Sequence, residues 1–547
     1  MNFVETILMT LVNNGANPSL VEVCGKNKIP TTGSQLLECI ERVQNLLRSS
    51  GVRPGDRIVL LAPNSSMWVA CDLAILAYGA ICVPLYSRQL PEELAFMAKD
   101  CQPKLIIISD ETLKISFQAQ SPISCEIVTF EEIRKTDRTS LTVHKIRPND
   151  VVTIVYTSGT SGNPKGAMLT CGNIDYMLSQ TIERLESATK VFGQCDRVFH
   201  FLPVCFAGSR MMLWSQLQHG HYLMLSTDLS NLVEEMATVE PHYYLTVPAV
   251  LERIRNGVTQ KIKEKGVIAL LLYQKGQHIF FQKTKGRKSI FENLILKIVR
   301  PIVFSKIRQK IGKSLKFIIC GSAPLSEETQ RWFEMIGIPV LQVYGLTETT
   351  AIITMDRPNS VKPGWVGEVI EGCEAKLTEE GELICRGPNI FRGYWNRTKA
   401  SEEMIQNGWL YTGDQAEIDE QGRWRISGRI NNILVPASGH NVAPEPLEQL
   451  LKEECPQIDH AVVIGHGRPF LTALITGNIE NSDIAQTLER TNRFLPHYRK
   501  IRAFYRSNEP LSVENGLLTA NQKLRRKAIE AYFKDAIEEL YRKEAAA

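Results

Sequence analysis

The segment Tyr156-Thr-Ser-Gly-Thr-Ser-Gly-Asn-Pro-Lys-Gly166 carries the densest chemical signal in the chain. Three glycines and four small hydroxyl residues fall within eleven positions, directly after the apolar run from Val151. Such a loop can turn backbone N–H groups and hydroxyls inward around phosphate oxygens, and Lys165 adds positive charge. A plain Gly/Ser-rich surface loop is the bland alternative, but nothing about such a loop requires this order after a strand. The Walker A pattern does not fit, because Lys165 is followed by Gly166 rather than by Ser or Thr.

Further blocks follow in order: Gly321-Ser-Ala-Pro324, Val343-Tyr-Gly-Leu-Thr-Glu-Thr349, Trp409-Leu-Tyr-Thr-Gly-Asp414, Gly428-Arg429, and Asn515-Gly-Leu-Leu-Thr-Ala-Asn-Gln-Lys-Leu-Arg525. Over almost its whole length the chain resembles the adenylate-forming enzymes, which include acyl-CoA synthetases, peptide-synthetase adenylation domains and firefly-type luciferases. The resemblance implies that ATP activates a carboxylate to an acyl-adenylate and that a thiol then takes the acyl group. Two anions must meet, so the site has to neutralise charge and hold them in line.

By resemblance, Thr157, Ser158, Gly159, Thr160, Ser161, Gly162 and Lys165 cradle the phosphates, with Ser161 and Lys165 on the outer ones. Thr347 bonds the α-phosphate, and Glu348 binds the Mg²⁺ that bridges phosphate oxygens. Asp414 accepts from the ribose hydroxyls, a role for an acceptor-only carboxylate. Gly321, Ser322, Ala323 and Pro324, with Tyr344 and Gly345, wall the adenine slot, and Arg429 touches the nucleotide. Taken singly, an Asp after Thr-Gly is usually a turn residue and Thr-Glu usually starts a helix. The ordered set is what favours the functional reading.

Lys523 in a Lys/Arg-rich C-terminal segment would ordinarily be a solvated charge. The resemblance makes it the catalytic lysine, a flexible point charge for the developing transition state. Its place near the C-terminus implies a small domain that swings, with a hinge at Asn431, where the family more often has Asp or Lys. The closest likeness is to long-chain fatty acyl-CoA synthetases. It rests on Val442-Ala-Pro-Glu-Pro-Leu-Glu448 after Ser438-Gly439, on Gly465 to Leu474, and on the basic insertion before Lys316. Ser438 and Gly439 are expected along the channel for a pantetheine thiol. Phe206 and Gly208 are expected near the acyl carboxylate. That branch has His where Phe206 stands, which keeps bulk and loses a hydrogen-bonding group. Cys205 beside it has no partner that would make it a nucleophile.

The elements that must position these residues alternate. Arg57 to Ala62, Lys104 to Ser109, Val151 to Tyr156, Lys316 to Cys320 and Val340 to Tyr344 read as buried strands, and Ser66 to Tyr78 as a helix. Short apolar strands separated by helix-length segments predict an α/β fold with mostly parallel, helix-flanked sheets. At 547 residues two unequal domains are expected: 1–430 for ATP and acid, and a small mobile α+β domain over 431–547.

With 44% hydrophobic and 22% charged residues the composition is globular, and a net charge of +4 argues against a dedicated nucleic-acid binder. Thirteen scattered cysteines without a CxxC pair suggest free thiols in a reducing, cytoplasmic setting. Met67 to Pro84 reads as a buried helix and strand rather than a membrane span. Between Lys261 and Lys316, fifteen Lys or Arg face only Glu264 and Glu292, a local net of +13 with apolar clusters interleaved. A solvated helical face is the bland reading; contact with an anionic membrane surface or an acidic acyl carrier protein is the sharper one. The leading expectation is a ligase joining a medium- or long-chain fatty acid to CoA, with ATP and Mg²⁺. The phosphopantetheine of a carrier protein is the alternative acceptor, and a catalytically silent homologue the third reading.

Overall fold

The computed structural model describes residues 1–120, 123–157, 163–193, 197–221, 223–284, 295–297, 299–437, 439–493, 495–519 and 522–545. Two large sheets form its centre. The first runs, in spatial order, Gly393–Tyr394, Lys165–Thr170, Val151–Thr157, Ile81–Leu85, Arg57–Leu61, Leu105–Ile108 and Glu126–Thr129. Its five strands from Val151–Thr157 onward are parallel, and its other two are antiparallel. The second has nine strands. Its parallel centre holds Val340–Tyr344, Ile318–Cys320, Tyr243–Thr246, Val198–His200, Leu223–Ser226 and Pro18–Cys24. Strands such as Arg57–Leu61 are near-continuous apolar runs because both faces are covered.

The helix Ser66–Ala77 shows how the layers join. Ser65 caps it by accepting from the Trp68 N–H at 3.1 Å, and every residue from Met67 to Ala77 is buried. A helix apolar on all sides belongs inside a large protein. Its one charge, Asp72, ion-pairs with Arg210 of the helix Ala207–His219, and both are fully buried. Asp72 also accepts from the Trp214 indole at 3.0 Å, while Arg210 donates to Thr153 at 2.6 Å. Breaking one member would leave a buried charge unmatched, a cost of roughly 3–5 kcal/mol.

Two smaller sheets complete the chain. One is wholly antiparallel and has five strands between Glu374 and Arg429, an element the strand-and-helix alternation does not foretell. The other lies in the C-terminal region, where Ile458–Ile464, Leu471–Gly477 and Ile501–Ser507 pack against Pro444–Glu454 and Asn481–Asn492. The expected α/β architecture, with a large N-terminal and a smaller C-terminal domain, is the one observed. Among the described residues every cysteine is free, and no helix is long and apolar enough to cross a membrane.

Candidate active site

Val151–Thr157 and Lys165–Thr170 form a hairpin in which Thr157 pairs with Lys165. The expected phosphate loop therefore falls between two paired antiparallel strands. Gly166 is needed there, because a Cβ would stand 2.6 Å from Ile154 Cγ2. Ser158, Gly159, Thr160, Ser161 and Gly162, the tip of the expected cradle, lie outside the described residues, as does Ser438.

Gly393–Tyr394 pairs along the outer edge of the Lys165–Thr170 strand. This puts the Tyr394 ring 5.3 Å from Lys165 Nζ. The Tyr394 hydroxyl donates to Glu348 Oε1 at 2.6 Å, and Glu348 is buried. Burial, then the Glu348 carboxylate, raises the Tyr394 phenol, so it keeps its proton as the donor.

Glu348 sits in a single turn, Thr347–Thr349, after the strand Val340–Tyr344. Gly345 makes the bend; a Cβ there would meet Ala351 O at 2.2 Å. Thr350 and Ala351 then hold φ of 51° and 92°, and Ser322 of the facing loop holds 72°. Such values in non-glycine residues cost of order 1–3 kcal/mol each and cluster at functional sites. Gly321 lets its loop lie flat, since a Cβ would stand 2.5 Å from Val343 Cγ2; Ser322, Ala323 and Pro324 are exposed.

Asp414 and Arg429 are directly opposite on neighbouring antiparallel strands, which fixes their ion pair at 2.7 Å. The Tyr344 hydroxyl donates to the other Asp414 oxygen at 2.6 Å. A carboxylate offers about four lone-pair sites, so about two remain for further donors. Burial raises the Asp414 pKa, opposed by Arg429, the Tyr344 hydrogen bond and Lys523.

Lys523 comes from the C-terminal domain on a tight turn closed by Thr519 N–H to Lys523 O at 2.8 Å. Its neighbour Gln522 holds φ of 60°. Lys523 is exposed. Partial desolvation, then Arg429, lowers its pKa, while Asp414 and Glu348 oppose the shift. One lysine from the end of the chain thus shares a field with three groups more than ninety residues earlier.

A family model for AMP-binding enzymes matches residues 13–395, and one for the AMP-binding enzyme C-terminal domain matches residues 431–545. The chain belongs to the AMP-binding enzyme family. Among curated relatives of this AMP-binding enzyme is a long-chain-fatty-acid–CoA ligase of Mycobacterium bovis, 28% identical over 91% of this chain and 90% of the relative. Another of that name from Rattus norvegicus is 26% identical over 87% of this chain and 77% of its own. The adenylation domain of a carboxylate reductase from Mycobacterium chelonae superposes with a TM-score of 0.80 at 20% identity, covering 99% of this chain and 91% of its own. An anthranilate CoA ligase in complex with anthranoyl-AMP gives 0.75 at 20%, covering 97% of both chains. Likeness at that identity speaks to the fold.

In this AMP-binding enzyme the remaining predicted residues divide. Phe206 precedes the helix Ala207–His219 and packs on Tyr86, ring centroids 5.7 Å apart. A Cβ on Gly208 would touch Ala351, so this helix start adjoins the Glu348 turn. Burial pushes the Cys205 thiol up to about 12, which keeps it protonated and unreactive. Asn431 lies in the turn Ile430–Asn432 directly after Arg429. Gly439, with φ of 76° and nothing within 4 Å of a Cβ, sits on an exposed turn of the small domain and is not drawn into the cluster.

Sequence reasoning missed Tyr394. A lone tyrosine in Gly-Tyr-Trp reads as core packing, and only its cross-strand position shows otherwise. Among the described residues no three His, Cys, Asp or Glu side chains converge as a metal cage. One carboxylate together with phosphate oxygens is nonetheless a donor set that suits Mg²⁺.

Proposed function

We propose that this enzyme is an AMP-forming fatty acid–CoA ligase. A fatty acid carboxylate attacks the α-phosphorus of ATP, giving acyl-AMP and pyrophosphate. The CoA thiol then attacks the acyl carbon, and AMP and a proton leave. The observation that supports this best is that Lys523 lies in the field of Asp414, Arg429 and Glu348. In this reading Lys523 and Thr347 stabilise charge at the α-phosphate, and Lys165 with the loop 157–162 holds the outer phosphates. Asp414 takes the ribose, and the Gly321–Pro324 loop, Tyr344 and Gly345 take the base. Glu348 would hold Mg²⁺, which when bound offsets phosphate charge. Phe206 and Gly208 line the acyl end.

Residues 1–430 bind ATP and acid, and 431–547 form a lid that turns about Asn431 so that Gly439 can reach the thiol channel. The long-chain acid and CoA as acceptor follow the names of the curated relatives. The +13 segment supports a second acceptor, an acidic carrier protein. The test is pyrophosphate release across acids of rising chain length, repeated with CoA and with a holo carrier protein. Release stimulated by long acids, with acyl-CoA as product, is expected. Acylation of the carrier alone, or preference for aromatic or short acids, overturns it.

A further inference from the structure

The basic insertion holds a surface that plays no part in the chemistry above. The helix Pro248–Glu264 ends at Lys265-Gly266, with Gly266 at φ of 102°, and the helix Val267–Thr284 begins at once. At this helical corner Val267, Ile268, Leu271 and Leu272 are 71%, 76%, 58% and 44% exposed. No other described element carries more than two exposed large apolar side chains. At roughly 100° per residue the four span an arc of about 140° on one face. The helix is anchored beyond this patch: Tyr273 and Phe280 on the side away from it, with Gly276 and Ile279 further along, are buried, and the Tyr273 hydroxyl accepts from the Trp332 indole at 2.7 Å. The exposed leucines are therefore not spare core positions that a small shift could hide.

We propose that this corner is a docking surface for an anionic lipid membrane. Three observations choose that occupant. The apolar patch covers only the first two turns, about 8–11 Å of helix, so the corner can enter a headgroup layer without the rest of the helix leaving its packing. Beyond it Gln274, Lys275 and His278 are exposed, so the apolar face ends abruptly. Lys261, Lys263 and Lys265, also exposed, lie within six residues of Val267, with Glu264 the one opposing charge among them. That is an apolar tip with a cationic collar, complementary to negative headgroups over a hydrocarbon layer. The patch has no Trp, Tyr or Arg, the side chains that usually anchor protein–protein contacts. The surface is independent of which acid the cleft activates.

The experiment is co-sedimentation of the full chain, without substrates, with phosphatidylcholine vesicles prepared with and without phosphatidylglycerol. Binding should be stronger with phosphatidylglycerol and should weaken with salt. The variant Ile268→Ser/Leu271→Ser/Leu272→Ser should partition at least about ten-fold less. Lys261→Gln/Lys263→Gln/Lys265→Gln should lose the preference for phosphatidylglycerol. Both should keep the wild-type melting temperature and pyrophosphate release with a water-soluble acid. No vesicle binding by the wild type, or unchanged binding by the serine variant, overturns the proposal. So does a wild-type dimer that ignores vesicles and that the serine variant dissociates, which would assign the patch to a second copy.

Discussion

Arg525, two residues after Lys523, forms an ion pair with Glu93 of the helix Pro91–Cys101 in the large domain. Gln89 steadies Glu93 by donating to its other oxygen at 2.6 Å. A second clasp lies elsewhere on the boundary, where Lys452 and Gln449 of the small domain reach Glu252 at 3.0 and 3.1 Å. Under the proposed domain swing, these contacts would belong to the pose in which Lys523 and Asp414 influence each other's charge.

Loosening the first clasp should therefore act on one half-reaction. Glu93→Gln removes a half-buried pair worth about 1 kcal/mol. Single-turnover acyl-AMP formation is expected to slow by about three- to ten-fold. Thioester formation from supplied acyl-AMP should be unchanged or faster. Equal slowing of both steps would mean that Glu93 only supports the fold.

Tyr394→Phe keeps the ring beside Lys165 and deletes the hydrogen bond to Glu348. Adenylation is expected to fall by about ten-fold, with more Mg²⁺ needed for half-maximal rate and a melting temperature close to wild type. Unchanged Mg²⁺ dependence with a lowered melting temperature would reduce Tyr394 to a packing role.

Asp356 makes a pH prediction. It is buried, one oxygen accepts from the Gln342 N–H at 2.8 Å, and the other has no partner. Burial pushes its pKa up to about 8 from the usual 3.8. Between those values the folded chain holds a proton that the unfolded chain has released, so stability falls as pH rises through this window. Asp356→Asn should remove that slope. The variant should be more stable than wild type at pH 8 by roughly 2–4 kcal/mol, with the gap closing toward pH 5. Denaturant midpoints across this range are the readout, and a gap independent of pH would contradict the assignment.

Much of this site was legible because its members sit in short ordered blocks. Thr347, Glu348, Asp414, Arg429 and Lys523 could each be named from such a block, and the buried strands could be read from continuous apolar runs. Pairings between distant blocks could not be read. Nothing in Trp409 to Asp414 says that Asp414 lies opposite Arg429, because register is set by the bulged antiparallel ladder they share. Asp72 and Arg210, 138 residues apart, each look like a surface charge until the helices pack. The five-stranded sheet escaped because Glu374–Leu377 and Ile405–Gln406 are short and hold no fully buried residue, and the alternating buried positions of Trp409–Ile418 include Thr412 and Asp414, which break the apolar pattern. Of the basic run between Lys261 and Lys316, Lys283 is described, while Lys285, Arg287 and Lys288 lie outside the described residues. The exposed apolar corner begins sixteen residues earlier, at Val267.

The central claim is that Lys523 supplies the charge for adenylation and is withdrawn for the second step. The direct measurement is Lys523→Ala in both half-reactions: single-turnover acyl-AMP formation from ATP and a fatty acid, and acyl transfer to CoA from supplied acyl-AMP. Loss of a transition-state charge contact predicts a fall of about 10²–10³-fold in the first and little change in the second. Because the Lys523 pKa is lowered, the wild-type first step should also decline on the alkaline side at a lower pH than an ordinary lysine would give, and the variant should lack this limb. Acyl-AMP formation at the wild-type rate in Lys523→Ala would contradict the account.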